Sequence, residues 1–295
     1  MDSLSYFATQ SPTTDPGVLD RLFADLPRTV PELVNVVQGL CLAYWERYKH
    51  PIPNERLLET NSRYVETILE RIAALDKRPL TETRQPHKRF MASCSDFANL
   101  LCAMLRFQGI PARKRVGFAT YFTAVRPGFF RSHEIVEYWD SGAGRWRKVD
   151  PCLDEVEIAA NAITFDPHDL PADRFIPAGM AWQTCRKKQS DPDKFGNEES
   201  RGFGVVLANL ILDLAAMNKR ELLNWDRFGW MEQPFATLGE EAWAILDRLA
   251  ALLQAGNGAF ADLQTLYAQE AGLQVPKVIW CDTPLTPPCK IELRE

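Results

Sequence analysis

The stretch from Met91 to Arg113 constrains the fold of this chain more than any other. Its punctuation predicts a helix: Ser93 or Ser95 can cap the start, Asp96 suits the electropositive first turn, and Gly109 followed by Pro111 supplies the stop. Phe97, Leu100, Leu101, Met104 and Leu105 recur at the spacing of one helical face, so the helix is expected to be buried. Cys94 then falls at the N-terminus, where unpaired N–H groups and the macrodipole favour an anion. A thiol so placed ionises more easily than a free one, whose pKa is about 8.5. Cys102, inside the same helix, reads as a small hydrophobe, and Cys94 would read the same way without context.

Upstream, residues 1–17 read as an irregular lead-in. A helical period over 31–48 is capped by Thr29 and broken by His50-Pro51-Ile52-Pro53. A second helix is expected over 62–75, then a polar loop from Lys77 to Lys88. After Arg113 the period shortens, and residues 115–122 read as a strand. Beyond Cys152, Pro- and Asp-rich segments predict long packed loops. Helices are expected over 204–218, 240–253 and 260–271, with Thr237 capping the second of these, and residues 275–295 carry no assignable pattern.

The hairpin signal between 133 and 150 bears on chemistry. Two β-rich runs, 133–139 and 145–150, flank Ser141-Gly142-Ala143-Gly144. A four-residue loop pairs Asp140 with Arg145 and sets Ile135 opposite Asp150. His133, two residues from Ile135, then shares a face with Asp150 at a diagonal backbone distance of about 7–8 Å.

Composition excludes several classes. The net charge of −5 gives no footprint for nucleic acid, and Arg186-Lys187-Lys188 reads as a solvated face. No apolar run approaches the roughly 18 residues of a membrane span. Seven cysteines without a CxxC pair suit reduced thiols. With no basic, apolar leader at the N-terminus, the expected compartment is the cytoplasm. The expected division of the 295 residues is a helical lead-in over 1–60, a catalytic core over 61–185 and a helical region over 186–295 packed on that core.

A helix-borne Cys, a strand-borne His and an Asp on the next strand follow the logic of an activated thiol, in which imidazole takes the proton and carboxylate orients the imidazole. Ser93-Cys94-Ser95-Asp96-Phe97-Ala98, Arg106-Phe107-Gln108-Gly109-Ile110-Pro111-Ala112-Arg113, the His133 strand and Trp146-Arg147-Lys148-Val149-Asp150-Pro151 together resemble the transglutaminase-like superfamily. The resemblance implies an α+β fold with a papain/transglutaminase-like core, its Cys-bearing helix packed on an antiparallel sheet, with additional N- and C-terminal helices. It also implies a triad of Cys94 as nucleophile, His133 as base and Asp150 as orienting group. Gly117 to Phe122, Asp166-Pro167 and Asp213 to Lys219 look like a bacterial branch with its own helical C-terminal region, which suggests one enzyme unit.

Two features depart from that pattern. Glu134 stands where relatives often carry an aromatic that walls the site, and the oxyanion donor has three candidates, Trp45, Tyr64 and Gln85, besides the Cys94 N–H. The expected reaction is acyl transfer through a Cys94 acyl-enzyme, which forms or cleaves an amide without cofactor or metal. A zinc set of Cys94, Cys102 and His133 fits no common ligand spacing. The expected partners are an amide- or thioester-bearing small molecule, peptide or carrier-bound acyl group, with an amine or water as acceptor and no nucleic acid or membrane. Loops over 121–132 and 153–200 are expected to shape the cleft. The competing expectation is a catalytically degenerate fold kept as a protein-binding scaffold.

Overall fold

A computed structural model describes residues 2–123, 127–198 and 200–294. In chain order the elements are α1 (Ser3–Phe7), α2 (Val30–Leu40), β1 (Cys41–Ala43), α3 (Val65–Leu75), β2 (Phe90–Ala92), α4 (Cys94–Phe107), β3 (Ala112–Ala119), β4 (Phe130–Asp140), β5 (Arg145–Val149) and α5 (Glu155–Ala160). There follow β6 (Phe175–Pro177), α6 (Ala178–Arg186), β7 (Phe195–Gly196), α7 (Phe203–Met217), β8 (Asp226–Arg227), α8 (Glu240–Ala255), α9 (Phe260–Gln269), β9 (Val278–Cys281) and β10 (Cys289–Glu292). The class is α+β, as the sequence predicts. No helix among the described residues is long and apolar enough to cross a membrane.

The main sheet has strand order β5-β4-β3-β6, with β7 paired to β4. Contacts divide the chain into two units, the first of residues 1–114, 135–159 and 164–170, the second of 115–134, 160–163 and 171–295. Strands β3 and β4 run through from one unit to the other.

In the first unit, α4 is the central element and is buried from Cys94 to Arg106. Its apolar side chains join those of α2 and α3 and Val136, Tyr138 and Val149 of the β4–β5 hairpin in one core. Gly109 closes the helix at a φ of +75°, which a side chain would strain. The chain then enters β3 at once, with the Trp139 N–H bonded to the Pro111 carbonyl at 2.8 Å. The strand therefore begins at Ala112, three residues before the expected start. Arg113-Lys114-Arg115 disguised it: three consecutive charges read as surface, yet all three side chains are buried. Arg113 pairs with Glu137 at 2.8 Å, and the Lys114 ammonium donates to Ser95 Oγ at 2.8 Å.

Helix α2 ends at Leu40 rather than near Tyr48. Cys41, Leu42 and Ala43 instead pair in parallel with Phe90, Met91 and Ala92. An apolar run buried on all sides carries no period that separates helix from strand, and the pairing partner decides. The lead-in likewise contains α1, capped by Asp2, whose carboxylate accepts from the Leu4 and Ser5 N–H groups.

In the second unit α7 is nearly all buried and apolar except for Asn209 and Asp213. Helix α6, unforeseen within the Pro-rich stretch, packs with α7 and α8, and stacks Trp182 on Trp243 at 5.4 Å. Gly239, not Thr237, is the N-cap of α8; Thr237 lies in the preceding 3-10 turn and turns its hydroxyl back to the Pro234 carbonyl. The unassigned C-terminal residues supply β9 and β10, which join β8 in a three-stranded sheet of order β10-β9-β8.

Candidate active site

The cysteine helix starts where β2 ends, so a parallel strand pair delivers the chain to Ser93. The Asp96 carboxylate accepts from the Ser93 backbone N–H and from the Ser93 hydroxyl, each at 2.7 Å, and Asp96 is wholly buried. This reciprocal cap fixes the first turn and adds a negative charge at the electropositive end. Cys94 follows with 6% exposure, and next to it Ser95 receives the buried Lys114 ammonium. Lys114 is a member of this neighbourhood that sequence reasoning missed, because a lysine in a basic run gives no sign of burial.

His133 lies in β4 and is 3% exposed. The hairpin register is the predicted one, Asp140 against Arg145 through Val136 against Val149, with Asp150 immediately after β5. Along this hairpin and the turn that follows it, donor atoms of His133, Asp150 and Cys152 lie within 4.8 Å of one another, all three residues buried. Asp150 is held twice: its N–H donates to the Pro167 carbonyl at 3.0 Å, and its Oδ1 accepts from the Cys152 N–H at 2.9 Å. The Asp166-Pro167 segment thus anchors the carboxylate's backbone.

Aromatic side chains reach the histidine from elsewhere than position 134, where relatives often carry one. Glu134 is buried, and the His133 ring is met edge-on by Phe122 at 5.0 Å and by Tyr121 at 6.1 Å. Residues 124–126 of the adjoining loop, and residue 199 of the later one, lie outside the described residues. Beside His133 in sequence, the Ser132 hydroxyl accepts from Asn209 Nδ2 at 2.7 Å, and the same nitrogen reaches the Gly117 carbonyl at 3.1 Å. One turn further along α7, Asp213 takes Arg115 through two bonds of 3.0 and 2.9 Å and the Val116 N–H at 2.9 Å. The two polar residues of α7, at i and i+4, therefore grip both β3 and β4.

The oxyanion candidates sit in three settings. Trp45 is half-buried, and its indole N–H is engaged by Glu157 at 2.7 Å. Burial raises the Glu157 carboxyl pKa above the ordinary range, against the lowering effect of that bond. Tyr64 is half-buried at the start of α3. Gln85 is exposed, at the head of a single 3-10 turn.

The other thiols set a baseline. Burial pushes the Cys41 thiol well up, helped by the nearby Asp96 charge, and burial raises Cys185 to about 11. Of the metal possibilities, His133, Asp150 and Cys152 form the one group of three whose donors converge among the described residues, and the set of Cys94, Cys102 and His133 does not. Imidazole, carboxylate and thiolate suit a borderline-soft ion such as zinc, one ligand short of a closed structural site.

Residues 57–151 match the sequence profile of the transglutaminase-like superfamily, Transglut_core. No curated protein is significantly similar to the chain. Among solved structures, a provisionally assigned cysteine protease from Cytophaga hutchinsonii is similar at 17% identity over 58% of this chain, with a TM-score of 0.32. This chain spans 44% of that structure's length, and a likeness so slight carries no conclusion. The profile match encloses the capped cysteine helix, the histidine strand and the aspartate that closes the hairpin. The match covers 95 of the 295 residues, about a third of the chain.

Proposed function

We propose that the protein transfers or hydrolyses acyl groups through a thioester on Cys94, with His133 as general base and Asp150 orienting the imidazole. The observation that carries the reading is the convergence of His133 and Asp150 on one hairpin, inside a family segment whose helix N-terminus bears a cysteine. In this mechanism the imidazole accepts the thiol proton and the carboxylate stabilises the resulting imidazolium. The thiolate attacks an amide or thioester carbonyl, and the collapsing tetrahedral adduct expels an amine, protonated by His133, or a thiol. Water or a second amine then takes the acyl group from Cys94, with His133 again removing its proton. The first turn of α4 favours negative charge beside the sulfur throughout.

The test is the rate of alkylation of each cysteine across pH, read by mass spectrometry on the folded chain. A thiol with a pKa of about 11, as at Cys185, is roughly one part in ten thousand thiolate at neutral pH. Cys94 is expected to label far faster than Cys185 and Cys41, and to lose that advantage in His133→Ala. Labelling of Cys94 no faster than Cys185 would favour a degenerate, scaffold role. Trapping the adduct on Cys94 from a cell extract and weighing it would then identify the acyl donor.

A further inference from the structure

Two cysteines that take no part in the proposed chemistry face each other at the C-terminal edge of the chain. In the antiparallel register of β9 and β10, Cys281 stands directly opposite Cys289, and Ile279 opposite Ile291. The Leu293 N–H bonds to the Lys277 carbonyl at 2.8 Å, so every second pair from there, Cys281 with Cys289 included, occupies a hydrogen-bonded position. Such pairs hold their Cα atoms about 5.5 Å apart, within the roughly 4.4–6.8 Å that a disulfide spans.

The faces agree as well. Ile279 and Cys281 point inward along β9, while Val278 and Trp280 are on the outer side. Ile291 packs against the cluster of Leu223, Trp225 and Cys281, which puts Cys289, two residues before it, on the same inner face. Cys281 is 1% exposed, whereas Cys289 is exposed on the edge strand β10. One thiol can meet a solute without unfolding, and the other is directly across the ladder from it.

We propose that Cys281 and Cys289, both thiols here, are a redox pair that closes to a cross-strand disulfide when the chain meets a low-molecular-weight disulfide such as oxidised glutathione. The Cys289 thiolate attacks one sulfur of the small disulfide, forming a mixed disulfide and releasing one small thiolate. The Cys281 thiolate then attacks the Cys289 sulfur, forming the protein disulfide and releasing the second. Two electrons pass to the small disulfide, and the two cysteine protons end on the released thiols. The ring encloses Pro284, Pro287 and Pro288 and ties the edge strand to its neighbour. The pairing is independent of the proposed acyl chemistry, and its test reads no turnover.

The full chain is equilibrated in buffers of graded reduced and oxidised glutathione, quenched in acid and mapped without reduction. The expected product is a peptide pair joined through Cys281 and Cys289, lighter by two hydrogens, and absent from Cys289→Ser, whose exposed position leaves the core intact. Because ring closure is intramolecular, glutathione on Cys289 should accumulate at least about tenfold less in the parent than in Cys281→Ala. A lasting glutathione adduct on Cys289 of the folded parent overturns the proposal. So does a bridge that forms only in denaturant, or one that joins two chains.

Discussion

Removing the Asp213 carboxylate should cost this protein a large share of its stability, and the amount follows from what the carboxylate holds. Asp213 is wholly buried, takes Arg115 by two bonds of 3.0 and 2.9 Å, and accepts the Val116 N–H at 2.9 Å. In Asp213→Ala the guanidinium, 5% exposed, stays buried without this counter-charge, and a strand N–H loses its acceptor. Deleting one member of a buried pair costs about 3–5 kcal/mol, and an orphaned N–H about 1–3 kcal/mol. The two penalties overlap, since water admitted to the cavity serves both groups, so the expected loss is roughly 4–6 kcal/mol, or three to four powers of ten in the folding equilibrium. For a chain of this size that lowers Tm by on the order of 10 °C. Urea and thermal denaturation, followed by far-UV circular dichroism, measure it. The reasoning also requires that the double variant Arg115→Met, Asp213→Leu recover most of the loss, because it removes both members of the ion pair together. A loss below about 1 kcal/mol in Asp213→Ala, or losses that merely add across the double-mutant cycle, would refute it.

Three further outcomes are expected. Asn209→Ala should cost less than Asp213→Ala, about 1–3 kcal/mol by denaturation, because it strands a Gly117 carbonyl and a Ser132 hydroxyl but no charge. Asp150→Asn should keep the fold yet cut turnover on the order of 10³–10⁴-fold, with thermal denaturation as the control for folding; turnover within about threefold of the parent would remove Asp150 from the mechanism. Glu157, its pKa raised by burial, is favoured protonated in the fold, so its contribution is whole below the unfolded value of 4.5 and lost as pH rises through the folded pKa. Glu157→Gln mimics the protonated form, so its Tm relative to the parent should climb between pH 4 and pH 8, and parallel curves would contradict the assignment.

The legible parts of the fold were those whose signals are local. The caps and Gly109 stop of α4, the long apolar α7 and the Asp140–Arg145 turn register could be read because each depends on neighbouring residues. The parallel β1–β2 pair, the start of β3 and the C-terminal sheet could not, since their short strands acquire identity only from distant partners. The same divide runs through the candidate site. The parity of a four-residue loop predicts the shared face of His133 and Asp150, and the two are found together. The aromatic wall of Tyr121 and Phe122, the burial of Lys114 against Ser95 and the grip of Asn209 on Ser132 needed three dimensions. Cys152, two residues beyond Asp150, can be placed towards the same region from the sequence, although packing is the role its setting favours there, and its donor atom converges with those of His133 and Asp150.

The parallel pairing of Cys41–Ala43 with Phe90–Ala92 has a kinetic consequence. The strand that delivers the chain to Cys94 is three residues long and finds its partner 49 positions upstream, across α3 and two loops. So short a ladder cannot persist alone, and the entropy of closing that loop must be met before any of its bonds form. Helix α4 can fluctuate into shape from its own caps early in folding, but the start of the helix is seated only when α2 and β1 arrive. The Cys94 thiol should therefore acquire its native surroundings in the last cooperative step of folding, and a partly folded chain would carry a helical Cys94 in the wrong place.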